Sequence, residues 1–194
     1  FYKGNRDAFM EKLAPGSLAL FFSGVPVRKT ADEDYAYFAN RNFVYLTGME
    51  QKDTILMLEK DASGYRETLF ILPPNLIEER WTGARMKPEE IEAASMISNF
   101  AYRDTFEEEL KKVLASGRIE KVYLDIDRMD GQVVVSGADS METFLKQEYP
   151  NLLIENSLPI LKKLRLIKKP CEIRAMEKAQ EITKAGILAM MTHS

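Results

Sequence analysis

Histidine occurs once in the 194-residue chain, as His193 at the second-last position, and cysteine once, as Cys171. Those two facts remove most catalytic schemes. A Ser-His-Asp or Cys-His arrangement needs an imidazole fixed in a site, which a residue at a frayed terminus does not supply. Zinc sites built from His and Cys need several such ligands. Neither GxGxxG nor GxxxxGK[ST] occurs, so no phosphate-cradling loop is present. Among the carboxylates, "LDIDRMD" brings Asp125, Asp127 and Asp130 together. On a strand, Asp125 and Asp127 would share a face, and a magnesium ion is the chemistry such a pair could serve. The EF-hand pattern fails, because its sixth position holds no Gly and its twelfth no Glu, and the plain reading is a turn at a strand end. "FEEELKK", Phe106 to Lys112, reads as a solvated helix face.

Three stretches rise above this background. "YAYFANRNFVYLTG" crowds Tyr35, Tyr37, Phe38, Phe43 and Tyr45 ahead of Thr47-Gly48. It reads either as core packing with hydroxyls reaching the edge or as a contact surface for a ligand or another domain. "RWTGARMKPEE", Arg80 to Glu90, has the composition of a loop and holds the only tryptophan, Trp81. Trp81 is either a rim residue covering the core or a recognition element, since Trp and Arg concentrate binding energy at interfaces. Arg85 could grip a substrate carboxylate in bidentate fashion. The third stretch, "LKKLRLIKKPCEI", places Lys162, Lys163, Arg165, Lys168 and Lys169 just before Pro170. No aromatics interleave there, so a linker fits better than a nucleic-acid patch.

The elements that must position these residues follow from periodicity. A first helix is predicted over Asn5–Leu13, then strands at Ser17–Phe22, Thr54–Glu59 and Glu67–Leu72, the last two joined by a hairpin turn at Ser63-Gly64. Helices follow at Pro88–Met96 and Thr105–Leu114, the second with Thr105 and Glu108 as a capping box. Strands at Lys121–Ile126, Gly131–Val135 and Asn151–Glu155 alternate with helices starting near Asp139 or Ser140 and at Ser157. Beyond Pro170, which suits a first helical turn, Ile173, Met176, Thr183, Ile187 and Met190 form a stripe. The fold class is therefore α/β, a mixed β-sheet flanked by helices.

Apolar residues make up 45% and charged residues 29%, enough to bury a core without staples. The net charge of −3 gives no pull toward nucleic acid or an anionic membrane. No apolar run reaches the length of a membrane span, no signal-peptide core is present, and a lone cysteine fits a reducing compartment, so a cytoplasmic location is expected. The sequence opens on Phe1 rather than Met, and residues are expected to precede it. Its last helix ends in "GILAMM", apolar nearly all round, and more chain is expected to follow and cover it.

Taken in order, the three stretches resemble the N-terminal domain of aminopeptidase P and its relatives prolidase and creatinase. The first family segment is matched at Tyr35, Tyr37, Asn40, Phe43, Tyr45, Leu46, Thr47 and Gly48. A W-x-G-x-R segment is matched at Trp81, Gly83 and Arg85, and the segment joining the two domains at Arg165, Ile167, Lys168, Pro170, Glu172 and Ile173. Ala36, Phe38, Ala39 and Lys169 depart from the family pattern.

The resemblance implies a creatinase/prolidase N-terminal domain-like fold over residues 1–168, with residues 169–194 opening a C-terminal "pita-bread" metallopeptidase domain. It implies no catalytic and no metal-binding residue in this chain. Two manganese ions, or similar divalent metals, belong to the catalytic domain, in an enzyme that releases the first residue of peptides with proline second. Trp81 and Arg85 are the implied substrate-side residues. Such peptides, the chain's own catalytic domain and a homo-oligomer are the implied partners. Two alternatives stand beside it: a relative that has lost the metal ligands and binds peptides or histones, and a prolidase- or creatinase-type hydrolase.

Overall fold

Strand β1, Ser17–Phe22, is apolar on both faces, as a strand covered from both sides must be. The computed structural model describes residues 1–128, 130 and 134–193, the side chain of His193 excepted. Chain contacts divide it into two units, Phe1–Leu161 and Lys162–Ser194.

The first unit begins with helix α1, Tyr2–Met10, three residues ahead of the predicted start. After β1 come a small ribbon of β2, Arg28–Thr30, and β3, Glu33–Asp34, and then helix α2, Arg41–Thr47. The hairpin β4, Ile55–Lys60, and β5, Tyr65–Ile71, turns where predicted. Asp61 shapes that turn, its Oδ1 accepting from Ser63 N (2.8 Å) and Gly64 N (3.1 Å). Helices α3, Leu76–Thr82, and α4, Pro88–Ser95, precede β6, Phe100–Tyr102. Then follow α5, Phe106–Ala115, β7, Lys121–Leu124, α6, Gly137–Glu148, β8, Leu153–Asn156, and α7, Leu158–Leu166.

The main sheet has the order β6-β5-β4-β1-β7-β8. β1 runs antiparallel to β4 and parallel to β7, which makes the sheet mixed, as its alternation with helices predicts. Leu18 and Leu20 face one side, with Phe106 and Leu110 of α5 and Leu145 of α6 in the same cluster. Ala19 and Phe21 face the other, where Phe9 of α1 meets Phe21 edge to face at 5.3 Å. Aromatic pairs in this geometry add to what area burial alone supplies.

Two local expectations change, and a third is not decided. Thr105 does not cap α5. It ends a 3-10 turn with φ −87° and ψ −7°, and its hydroxyl donates back to Tyr102 O (2.8 Å). Helix α6 starts earlier than predicted, because Ser136 and Asp139 form the capping box. The expected strand at Gly131–Val135 lies largely outside the described residues.

The second unit carries helix α8, Pro170–His193. Pro170 occupies its first turn as expected. Lys169 supplies no side-chain oxygen to the cap, but Glu172 reaches back to accept from Lys169 N (2.8 Å), so half of a capping box survives. Among the described residues, no helix is long and apolar enough to cross a membrane.

Candidate functional site

The aromatic stretch divides into buried and exposed residues. Asn40 opens α2, its Oδ1 accepting from Asn42 N (2.8 Å) and Phe43 N (3.0 Å). Gly48 closes it at φ 76°, in the left-handed region that favours glycine, and donates to Val44 O. Thr47 Oγ1 donates to Phe43 O (2.8 Å) and accepts from Met49 N (3.2 Å). The carbonyls of Tyr45 and Leu46, freed at the helix end, accept from Asn5 Nδ2 (2.7 Å) and Arg6 Nη1 (2.8 Å). Arg6, with no exposed surface, also grips Glu67 through Nε (2.6 Å) and Nη2 (3.0 Å) and donates to Ser95 O (2.9 Å).

Phe43 and Tyr45 are thus core residues. The half-buried Tyr37 donates its hydroxyl to Ser23 O (3.0 Å), and burial pushes that phenol up from its ordinary range. Tyr35 and Phe38 stand exposed. The motif is mostly a device for ending one short helix.

Asp125 leaves the end of β7 and turns inward, where Asn42 Nδ2 donates to both its oxygens at 2.9 and 3.0 Å. That pair ties α2 to the C-terminal end of β7. Among the described residues, no three His, Cys, Asp or Glu side chains converge as a metal site requires. A cavity of about 660 Å³ opens here, walled by Phe22, Phe106, Met141 and Phe144. Two of its acidic groups are paired, Asp125 with Asn42 and Asp53 with Arg103 (2.9 Å).

Trp81 and Arg85 fall on different structural footings. Trp81 lies on helix α3, not on the loop its neighbours predict, and is 87% exposed. The helix is capped by Asn75, whose Oδ1 accepts from Glu78 N (3.2 Å). Arg85, in contrast, is turned inward. Its Nη2 donates to Glu78 Oε2 (2.5 Å), its Nη1 to the carbonyl of Pro73, and its backbone N to Glu79 Oε2 (3.3 Å). Lys52 Nζ pairs with the other oxygen of Glu78 (2.9 Å). Hydrogen bonds from Lys52 and Arg85 hold the Glu78 carboxyl below its ordinary range. Lys52 and Glu78 went unnoticed in the sequence. Asn75 followed three residues later by Glu78 is the cap signal that could have revealed the helix.

Comparison with known proteins bears on the whole chain. Residues 2–123 match the family model described as aminopeptidase P, N-terminal domain. The Xaa-Pro aminopeptidase of Escherichia coli K12 is 27% identical over 187 residues, covering 94% of this chain and 42% of that protein. Xaa-Pro aminopeptidase 3 of Dictyostelium discoideum is 28% identical, covering 100% of this chain and 36% of the relative. A Bacillus anthracis structure provisionally assigned as an aminopeptidase P superposes with a TM-score of 0.92 at 30% identity, over 96% of this chain and 45% of its own. Aminopeptidase P from E. coli with the inhibitor Pro-Leu superposes with a TM-score of 0.76 at 27% identity, over 94% and 42%. The chain thus spans less than half the length of these relatives. With a matching family model over most of its length and the same mixed sheet, it belongs to the aminopeptidase P N-terminal domain family.

Proposed function

We propose that this chain is the non-catalytic N-terminal part of a Xaa-Pro aminopeptidase. The whole enzyme removes the first residue from peptides with proline in second position. The observation that carries this reading is near-complete coverage of the chain against less than half coverage of relatives named for that activity. Residues 1–168 form the N-terminal domain, and residues 169–194 open the catalytic one. The exposed Ile187, Leu188, Met190 and Met191 are the surface that domain covers.

Two manganese ions, or similar divalent metals, serve the hydrolysis in the catalytic domain. The described residues of this chain offer no donor set for them, and no role here runs through a metal. The chain's own part is to wall the substrate cleft and to support contacts in a homo-oligomer, in the cytoplasm. Trp81 supplies an apolar face on the substrate side. The test is release of the first residue from Xaa-Pro peptides by the full-length protein with manganese. Absence of release under conditions that cleave other peptides would refute the reading. In that enzyme, Trp81→Ala raises KM for Xaa-Pro peptides, and unchanged kinetics would remove Trp81 from the cleft.

A further inference from the structure

Helix α3 is a puzzle of stability. It has seven residues and buries none of them. Isolated helices below about 12–15 residues are marginal in water, and short helices in proteins persist by packing an apolar face. Here the apolar face points outward: Leu76, Ile77 and Trp81 are 78, 77 and 87% exposed. The inward side is polar. Its Glu78 bridges Lys52, which precedes β4, and Arg85, which follows the helix. Arg85 also donates to the carbonyl of Pro73, just after β5, so the segment is tied to its own starting point. Glu79 joins the two ends again, accepting from Asn75 N (2.9 Å) and from Arg85 N (3.3 Å).

From this geometry we infer that Arg85 is a positioning residue: it clamps α3 by its polar side and so holds Trp81 in one orientation. The inference rests on the reading of Trp81 as a substrate-side residue, and it changes the role given to Arg85. A bidentate grip on a substrate carboxylate needs two free donors along one edge of the guanidinium. Each terminal nitrogen already has an N–H engaged, one by Glu78 and one by Pro73, and the side chain is only 14% exposed, turned in toward these partners. Arg85 therefore acts through Trp81 and does not touch the substrate. Lys in its place would keep the charge but lose the fork that reaches two acceptors at once.

Trp81 is the only tryptophan of the 194-residue chain, so its fluorescence reports the clamp directly. Quenching is the wrong readout, because the ring is already exposed. Its freedom of motion is the right one. In Arg85→Met, the amplitude of nanosecond local motion in the Trp81 anisotropy decay should rise about twofold. Its near-UV circular dichroism should fall as well. Arg85→Lys and Glu78→Gln should lie between Arg85→Met and the parent chain, and they carry the test if Arg85→Met fails to fold. Because α3 contributes nothing to the core, the melting temperature should barely move, which separates positioning from general destabilisation.

In the full-length enzyme, Arg85→Met should raise KM while kcat stays within about twofold, the signature of lost binding. A loosened Trp81 with a kinetically silent Trp81→Ala would uphold the clamp and sink only the substrate reading. A raised KM with an unaltered anisotropy decay would mean direct contact between Arg85 and substrate, and would overturn the inference. So would a tryptophan equally ordered in all three variants.

Discussion

Replacing Arg6 with Met tests a fully buried side chain that ties three parts of the fold together. Arg6 has no exposed surface and makes four hydrogen bonds, two to Glu67 and one each to Leu46 O and Ser95 O. Methionine retains most of the stem and none of the donors. Breaking a buried pair by removing one partner costs about 3–5 kcal/mol, and each carbonyl left without a donor adds about 1 kcal/mol. The Glu67 side chain keeps 17% exposure, so water recovers part of the loss. The expected destabilisation is about 4 kcal/mol, a large fraction of the roughly 5–15 kcal/mol that holds a domain folded.

Urea unfolding followed by far-UV circular dichroism reads that value directly. Adding Glu67→Met removes the stranded carboxylate and should restore at least about 1.5 kcal/mol, since an apolar pair often substitutes well for a buried ionic one. A loss below about 1 kcal/mol in Arg6→Met, or single effects that add within about 0.5 kcal/mol, would refute the assignment of Arg6 as the tie.

Two further outcomes follow from the geometry. Gly48→Ala places a Cβ about 2.4 Å from the Tyr2 ring, at a φ of 76°. The left-handed strain alone costs about 1–2 kcal/mol, so thermal melting should fall by several degrees, and an unchanged melt would mean that Tyr2 and the backbone both relax freely. Stability should also decline in acid. Hydrogen bonds from Lys146 and Arg128 lower Glu142, and those from Ser136 and Arg128 lower Asp139. A carboxylate depressed in the folded state stabilises above its unfolded value, and that stabilisation is lost as pH falls through the folded one. The ordinary values are 3.8 for Asp and 4.5 for Glu, so the melting temperature should hold above pH 6 and drop progressively below those values. A transition between pH 6 and 7 would contradict this, the single histidine being His193.

The central strands were legible because they carry their burial in their own composition. Ser17–Phe22 is apolar throughout and central, and the β4–β5 hairpin announces itself at Ser63-Gly64. Helix α2 was hidden because an aromatic-rich run of seven residues shows no helical period, and its last carbonyls are satisfied by Asn5 and Arg6, some forty residues away in sequence. Helix α3 was hidden for the opposite reason: its apolar residues face outward, so reading the pattern as core-facing gives no helix. The β2–β3 ribbon is exposed throughout and offers no alternation to detect. Thr105 shows the limit of a motif. The capping pattern was present, but the preceding turn had already drawn its hydroxyl onto Tyr102.

The positions by which the chain resembles its family can be sorted by what the fold needs from them. Asn40 starts a helix, Thr47 and Gly48 end it, and Phe43, Tyr45 and Leu46 fill the core. Gly83 terminates α3 at φ 90°, and Arg85 ties the segment down. The residues of the first stretch would be required by the fold alone, whatever the domain did, whereas Gly83 and Arg85 shape only the helix that bears Trp81. Trp81 has no such account. It is 87% exposed, and a tryptophan in water stabilises nothing around it. The fold nevertheless sets a cap, two acidic residues, a lysine and an arginine to hold the helix that bears it. An arrangement that spends so many internal contacts on displaying one large apolar ring supports the proposal that the ring is used outside the domain. That is why the substrate-side reading attaches to Trp81 and the positioning role to Arg85.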